Sequence, residues 1–350
     1  MIGRRAFVGG AAALLAVRGE AASTSRFAPV VDSFARTHGF NGVVAHGRGG
    51  RRDYVACFGM ADVATARPIT PATRFAFGSA SKWLTSVAVL RLVEQGRLDL
   101  DRPITGYLPE FRADTGARLT LRRLLSNTSG LPDRLSAAVK AEPAMRASTE
   151  GSAPMVARFA DGDLAFEPGR GWDYAFLNWV VVHAIVERVT GQPFATALDR
   201  LVFRPLGMRG AGLVDTRGGR TALAASAYAS LAPLKPKMAA VPPFGAASGN
   251  VFAGADDAIR AGHGIFAGRL LSPRSRAALT HIEWAPEDYA LGGRVRVIDG
   301  RRWAWEPGKV EGYRALIAHD LAGDRTIAIF NNTDMSQTMI ATLGEAMMRA

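Results

Sequence analysis

A long apolar segment over residues 79–95 places the strongest constraint on how this chain folds. Its apolar side chains run almost all the way round the helix that their spacing predicts, and Gly96 follows as a stop signal. A helix that is apolar on all sides has to be buried, so the rest of the chain is expected to pack round it. The chain has 350 residues, of which 48% are hydrophobic and 21% charged, and this composition supports such a core.

The patterns on either side of this helix predict different structures at the ends and in the middle of the chain. A helical spacing over 26–40 precedes two strand-like segments, 42–46 and 53–58, that flank a glycine-rich turn. Late in the chain, strand-like segments are predicted at 294–298, 313–318 and 325–330, and a closing helix is predicted at 336–348. Helical patterns dominate the middle, at 119–125, 153–159, 177–190 and 193–202.

This order of elements predicts the domain organisation. Residues 23–110 and 240–350 are expected to form one α/β domain built from both ends of the chain. Residues 111–239 are then a mainly helical insertion into that domain.

Ser79 and Lys82 stand at the start of the buried helix with a Ser-x-x-Lys spacing. Residues three apart share a helix face, so the Lys82 amine can lie beside the Ser79 hydroxyl. A partly desolvated lysine can accept the serine proton, and the helix N-terminus can stabilise developing negative charge. The alternative is that Ser79 caps the helix and Lys82 is a solvated first-turn residue. No other lysine of the chain follows a serine at this spacing, which favours the catalytic interpretation.

The sequence patterns that mark other kinds of functional site are absent from the chain. The six histidines form no His-Glu-x-x-His motif, and the single cysteine excludes both cysteine-pair zinc sites and an internal disulfide. The chain also lacks the glycine-and-lysine pattern of a phosphate loop and a Gly-x-Ser-x-Gly elbow. We therefore expect no metal and no organic cofactor. Cys57 lies in an alternating apolar segment and is expected to be a small buried side chain.

The basic charge of the chain does not indicate a nucleic-acid binder. Its 43 Lys and Arg residues against 31 Asp and Glu residues give a formal net charge of +12. The arginines are scattered along the whole chain among acids, whereas nucleic-acid binders concentrate basic residues in a patch or stripe. Diffuse surface charge is the expected outcome.

The segment round Ser79 and Lys82 resembles the serine β-lactamase and penicillin-binding-protein superfamily. The resemblance is closest to the class C β-lactamase-like group, which includes esterases and D-aminopeptidases. It extends in order along most of the chain after the N-terminal segment, through residues 75–82, 87–103, 107–109, 119–132, 166–174, 189–194, 205–208, 247–252, 256–257 and 308–313. The resemblance implies an α+β fold, in which helices flank an antiparallel sheet and a mainly helical domain is inserted.

The same resemblance implies roles for particular residues. Ser79 would be the acylated nucleophile, and Lys82 would accept its proton. Tyr174 matches the first position of the family's Tyr-x-Asn motif, where the phenol acts with the lysine as a general acid or base. The backbone N–H groups of Ser79 and Lys309 would form the oxyanion hole. A core aromatic role is the alternative for Tyr174.

Two substrate-binding positions depart from the family pattern. Phe176 stands where the motif has Asn, and it cannot hydrogen-bond a substrate amide. Glu306 stands where the third motif, which ends here at Gly308, has a cation that holds a substrate carboxylate. An acid there is expected to repel anionic substrates. The alternatives are that Glu306 is an exposed strand residue with no substrate role, or that Lys309 supplies the cation.

These observations favour a serine hydrolase that cleaves a small-molecule ester or amide through an acyl-enzyme. An esterase is favoured because the two lost groups are those that recognise an acylamino-carboxylate. The alternatives are a β-lactamase, a D,D-peptidase or a D-aminopeptidase. A non-catalytic binding protein that retains the fold also stays open, since two motif residues are replaced.

The first 22 residues have the pattern of an export signal. Arg4 and Arg5 precede an apolar segment over 6–17, and small residues follow at plausible cleavage positions. The paired arginines favour the twin-arginine type. Twelve apolar residues are too few to cross a hydrocarbon core of about 30 Å. We expect an exported protein, periplasmic or secreted, with no integral membrane segment once the signal is removed.

Overall fold

Antiparallel strands from both ends of the chain form the main sheet of the computed structural model, which describes residues 25–213, 223–238 and 241–350. The strands of this sheet are β1 (Gly42–Arg48), β2 (Arg51–Phe58), β10 (Arg294–Ile298), β11 (Arg301–Val310), β12 (Tyr313–Asp320) and β13 (Arg325–Asn331). Their order across the sheet is β10-β11-β12-β13-β1-β2, and each neighbouring pair is antiparallel. Because β1 pairs with β13, the first and last strands lie side by side.

Shorter strands pair at the edges of this core. They are β3 (Met60–Asp62), β4 (Arg67–Pro68), β5 (Phe75–Ala76), β6 (Gly212–Leu213), β7 (Ala227–Leu231), β8 (Leu234–Lys237) and β9 (Val251–Ala253). Strands β3 and β4 form one pair, β7 and β8 another, and β9 lies between β5 and β6.

The helices of the described residues surround the main sheet and fill the middle of the chain. They are α1 (Ala28–His38), α2 (Ser81–Glu94), α3 (Ala113–Gly116), α4 (Leu121–Leu125), α5 (Arg134–Ala141), α6 (Ser152–Phe159), α7 (Phe176–Thr190), α8 (Phe194–Leu198), α9 (Ala246–Gly249), α10 (Ala255–Gly262), α11 (Pro273–Thr280) and α12 (Gln337–Arg349). Short 3₁₀ segments are at Gly78–Ala80, Ile104–Gly106, Pro143–Ala147, Pro243–Gly245 and Ala285–Glu287, and π-helical turns are at Asp199–Phe203 and His263–Ala267.

Alternating side chains divide the sheet into two buried faces. On β1, Val43 and Ala45 belong to the larger hydrophobic cluster, which includes α2, whereas Val44 belongs to a second cluster. That second cluster contains apolar residues of α1 and α12, including Val31 and Leu343. Successive side chains of a strand point to opposite faces, so helices cover both sides of the sheet. The predicted α+β fold with an antiparallel sheet flanked by helices is confirmed.

The predicted buried helix is also confirmed, with one local change at its start. Residues Gly78–Ala80 form a tight 3₁₀ turn before α2 begins at Ser81. Leu84, Val87, Leu90 and Leu92 are at most 3% exposed, as expected for a helix that is apolar on all sides. The Ser-x-x-Lys motif therefore spans this 3₁₀ turn and the first turn of α2, next to the core of the fold.

The middle of the chain is mainly helical, as its patterns predicted, but it shares its core with the rest. Strand β6 pairs with β9, and apolar residues of α7 belong to the same cluster as those of α2. The limits of the helical insertion at residues 111 and 239 stay a prediction.

Two further expectations concern the chain ends and the cysteine. The predicted export signal over residues 1–22 lies outside the described residues. Over the part of the chain that the structure describes, we find no helix with the length and apolar character needed to cross a membrane. Cys57 is 1% exposed, which confirms the small buried side chain expected from the sequence, and burial raises the pKa of its thiol to about 12.

Candidate active site

The side chains of Ser79, Lys82 and Tyr174 meet at one hydroxyl group. Lys82 lies in the first turn of α2, and its Nζ donates to Ser79 Oγ over 3.0 Å. Tyr174 belongs to the segment just before α7, and its hydroxyl donates to Ser79 Oγ over 2.8 Å. The structure thus brings together the three residues for which the sequence predicts a catalytic role.

Lys82 is a buried amine in a mostly aromatic and apolar environment. It is 4% exposed, and its Nζ lies 5.0 Å from the centre of the Tyr174 ring and 5.3 Å from that of Trp179. The same Nζ donates to the carbonyl of Ser248 over 2.6 Å, which fixes its position. Burial lowers the pKa of Lys82 to about 7 because the charged form loses its hydration. Near neutral pH the amine can therefore accept a proton from Ser79.

Tyr174 is placed to donate a proton rather than to accept one. The residue is 38% exposed, and its hydroxyl is directed towards Ser79 Oγ. Burial, and secondarily the negative charge of Glu306, raise the pKa of Tyr174. The phenol is neutral at physiological pH, so it suits the role of general acid within the pair of roles implied for it.

Two glycines allow the turn of Ser79 to lie against β11. Gly78 has φ +54°, and a Cβ atom there would lie 2.6 Å from the backbone nitrogen of Lys309. A Cβ atom on Gly308 would lie 1.8 Å from the carbonyl oxygen of Phe77. Only residues without a side chain fit this close approach. This close approach brings the backbone nitrogen of Lys309 beside the turn that carries Ser79, which is the position that the predicted oxyanion hole requires.

Glu306 is buried rather than facing the substrate as an exposed acid. Its side chain is 1% exposed, and its Oε2 accepts from Arg294 Nη1 over 3.0 Å. Burial raises the pKa of Glu306 to about 7, and Arg294 opposes that rise. Glu306 was expected to repel anionic substrates, but in the structure its charge is paired with that of Arg294, which offsets the repulsion. An exposed strand residue is excluded as well.

Arg294 connects this pair to the aromatic side chains of the site. Its guanidinium lies 5.2 Å from the centre of the Tyr289 ring, and Tyr289 meets Tyr174 edge to face at 6.2 Å. Tyr289 is fully buried. The buried ion pair thus supports the ring that carries the Tyr174 hydroxyl.

Phe176 begins α7 and forms an apolar wall beside the site. Its backbone N–H donates to Asp133 Oδ2 over 2.7 Å, and its ring lies 6.0 Å from that of Phe244. Asn178 does not replace the missing amide of the family motif. Its side chain is buried and hydrogen-bonds to Ser129 and Asn127, on another face of α7.

A cavity of about 260 Å³, which we call the inner cavity, opens beside Ser79. Its lining includes Lys82, Asp133, Tyr174, Phe176 and Lys309 but not Glu306. Asp133 is held by the starts of two helices, because its Oδ1 also accepts from the backbone N–H of Ser136 over 3.0 Å. It places a negative charge in this cavity.

Sequence reasoning missed Asp133, Tyr289 and Arg294. Asp133 had a detectable signal, since aspartate is among the residues preferred at a helix N-cap. Arg294 would have been found by pairing β10 with β11, because it lies opposite Trp305 and next to Glu306. We find no signal for Tyr289 in the sequence. Among the described residues, no group of three or more His, Cys, Asp or Glu side chains is arranged to hold a metal ion.

Glu306→Gln is expected to move the pH dependence of Ser79 acylation to lower pH. Acylation needs unprotonated Lys82, so its rate should rise as pH increases through the pKa of that amine. The negative charge of Glu306 raises the pKa of Lys82, and Arg294, which would remain, lowers it. The rate of inactivation by a fluorophosphonate, measured as a function of pH, checks the shift.

Glu287→Gln is the matched control for this experiment. Glu287 pairs with the same guanidinium over 3.4 Å but is 42% exposed, so solvent screens its charge. Its removal should shift the profile less. A Glu306→Gln profile that stays in place, or moves to higher pH, contradicts the influence of Glu306 on Lys82.

Comparisons with known proteins agree with this geometry. A family model described as Beta-lactamase matches residues 27–344. The chain is 38% identical over 215 residues to Esterase EstB from Burkholderia gladioli, in an alignment that covers 58% of this chain and 55% of the esterase. The match thus spans about half the length of that curated relative.

Solved structures share the fold over nearly the whole chain. The penicillin-binding protein from Bacillus halodurans has a TM-score of 0.80 at 22% identity and covers 93% of this chain and 99% of its own. The D-amino acid amidase from Ochrobactrum anthropi SV3 has a TM-score of 0.76 at 21% identity, with the same two coverages of 93% and 99%. At these identities the likeness shows the fold alone.

Proposed function

The chain belongs to the β-lactamase family, and from this premise we propose that it is a serine hydrolase that cleaves esters through an acyl-enzyme on Ser79. One observation carries the proposal. Lys82 Nζ and Tyr174 Oη lie 3.0 and 2.8 Å from the same Ser79 Oγ. A nucleophile within hydrogen-bond reach of both a base and an acid is the arrangement that acyl transfer needs.

The proposed reaction uses these groups in turn. Neutral Lys82 accepts the proton of Ser79 as Oγ attacks the carbonyl carbon, and the backbone N–H groups of Ser79 and Lys309 stabilise the oxyanion. As the bond to the leaving oxygen breaks, Tyr174 donates a proton to it and is reprotonated from Lys82. Water then attacks the acyl carbon, with Lys82 accepting its proton. The bond from that carbon to Ser79 Oγ breaks, Oγ takes the proton back from Lys82, and the carboxylic acid leaves.

The lining of the inner cavity supports an ester in preference to a β-lactam. Phe176 presents an aromatic ring where an amide side chain would hydrogen-bond an acylamino group. The place of the family's cation is occupied by the Glu306–Arg294 pair, which has no net charge when both groups are ionised. At the Glu306 position itself, a carboxylate next to the scissile bond would find no free cation. The 38% identity to an esterase agrees with this preference.

A second candidate is an amidase or aminopeptidase that acts on substrates with a free amine. The Asp133 carboxylate lines the inner cavity, and each of its oxygens accepts only one backbone hydrogen bond in the structure. A carboxylate oxygen can accept two, so an ammonium group close to the scissile bond could bind there.

Intact-mass measurement tests the proposal. The protein is exposed separately to p-nitrophenyl esters, a cephalosporin, an amino-acid p-nitroanilide and a fluorophosphonate. Acylation and turnover with the esters, and little with the cephalosporin, are the expected results. Faster turnover of the anilide favours the second candidate. If none of these compounds modifies the protein, the non-catalytic interpretation replaces the proposal.

Export is proposed from the sequence of the first 22 residues alone. Paired arginines before a short apolar segment support a twin-arginine signal and a periplasmic or secreted protein. N-terminal sequencing of the protein from the exported fraction tests this: a start beyond the signal supports it, and intact protein in the cytoplasm contradicts it.

A further inference from the structure

The inner cavity continues into a larger cavity on the side of Phe176. This second cavity, which we call the outer cavity, has a volume of about 630 Å³. The two share four lining residues, Phe176, Val241, Lys309 and Val310. Because they share a boundary, a substrate held at Ser79 can extend from the inner cavity into the outer one.

One side of the outer cavity is apolar. It is formed by the four side chains Phe176, Phe244, Val139 and Val241, together with Val310 at the boundary. Phe176 and Phe244 pack against each other, with ring centres 6.0 Å apart. An aliphatic or aromatic segment of a substrate would be desolvated along this wall.

The other side carries a chain of ion pairs with an excess of positive charge. Arg146 pairs with Glu311 over 3.2 Å, and Lys237 pairs with Glu311 over 2.6 Å. Lys237 also pairs with Asp334 over 2.5 Å, and Arg314 pairs with Asp334 over 2.9 Å. Three cations thus share two carboxylates. Arg146 is 50% exposed and has one acidic partner, so it has donors left for a ligand.

Lys309 adds a fourth cation at the boundary between the two cavities. Its side chain is exposed, and among the described residues it takes part in none of these ion pairs. The cations of the outer cavity therefore outnumber its acids by four to two. A surface concavity with a net charge of one sign favours ligands of the opposite sign.

We propose that the outer cavity selects ester substrates in which an apolar segment ends in an anionic group, such as a carboxylate, remote from the scissile bond. This inference rests on the proposed esterase function and adds the substrate class. The apolar segment lies along Phe176 and Phe244, and the anion reaches Lys309 and Arg146. The anion lies away from the Glu306 position, so its binding does not depend on the cation that is missing at that position.

The test compares substrates that differ only in the terminal charge. On the acyl side, the anionic substrate is the mono-p-nitrophenyl ester of suberic acid. Its neutral partner is the same compound with the second carboxyl group converted to a methyl ester. On the alcohol side they are 8-acetoxyoctanoate and its methyl ester. In at least one arm, wild-type kcat/KM for the anionic compound should exceed that for the neutral one about fivefold, and added salt should reduce the ratio. The arm that shows the preference identifies the part of the substrate in the outer cavity.

Arg146→Gln and Lys309→Gln should each lower this anionic-to-neutral ratio about threefold to fivefold. The ratio is used because it cancels any effect of either change on the chemical step. Arg158→Gln is the matched control, since Arg158 is 53% exposed, pairs with Glu150 over 3.3 Å and lines neither cavity. Its ratio should equal that of the wild type.

Failure of this inference can be told apart from failure of the proposed function. If wild type hydrolyses the neutral esters through Ser79 but shows no anionic preference in either arm, the esterase stands and the substrate class is wrong. A preference that survives both Gln changes also overturns the inference, because the selected group then binds elsewhere. If no ester acylates Ser79, the proposed function fails and the inference fails with it.

Discussion

Ser79→Ala is expected to abolish covalent labelling by a fluorophosphonate and to lower kcat/KM for p-nitrophenyl esters on the order of 10⁴-fold or more. The variant lacks the oxygen that forms the acyl-enzyme. Lys82, Tyr174 and the backbone donors remain, but they have no nucleophile to activate. Intact mass after labelling and initial rates corrected for spontaneous hydrolysis measure the two losses.

Ser136→Ala is the matched control for this change. Ser136 also lines the inner cavity, but the side-chain hydrogen bonds of Lys82 and Tyr174 go to Ser79 and Ser248. It should be labelled like the wild type. Thermal unfolding of both variants shows whether the fold is retained. A fluorophosphonate adduct that maps to another serine, such as Ser248, contradicts the assignment of Ser79.

Lys82→Ala and Tyr174→Phe are each expected to lower kcat/KM about 10²–10⁴-fold, and the double variant should lose little more than the worse single variant. Both side chains act on one proton of one hydroxyl, since Lys82 Nζ and Tyr174 Oη both contact Ser79 Oγ. Once one member is removed, the other has lost most of its function. Tyr174→Phe keeps the ring that packs against Tyr289, so its effect reports on the hydroxyl.

A double-mutant cycle on the acylation rate measures this coupling. Losses that multiply in the double variant contradict a shared role, because independent groups contribute independently. Trp179→Phe is a useful control, since Trp179 also contacts Lys82 but takes no part in proton transfer. It should affect the rate far less than either single change.

Local patterns were sufficient to predict the buried helix and the nearness of Lys82 to Ser79. An apolar segment over 79–95 can be satisfied only by burial, and residues three apart on a helix are neighbours whatever surrounds them. The placing of Tyr174 in the site was inferred from the family resemblance, because Tyr174 lies 92 positions after Lys82 and no local pattern connects them.

The charge state of the site could not be predicted in this way. From the sequence, Glu306 was an acid that would repel anions. In the structure it is 1% exposed and paired with Arg294, which lies on the neighbouring strand β10. Its partner depends on strand register, and its pKa depends on burial, so neither follows from the residue type.

The α+β fold was implied by the family resemblance of the sequence. The buried helix and the nearness of Lys82 to Ser79 followed from hydrophobic periodicity and from spacings within one turn, which act over a few residues. Only the tertiary structure decided the pairing of Glu306 with Arg294, the place of Asp133 between two helix starts, and the outer cavity with its chain of ion pairs. Each of these brings together side chains from distant parts of the chain. Electrostatic energies depend on the distances and solvent exposure that result, and folding sets both.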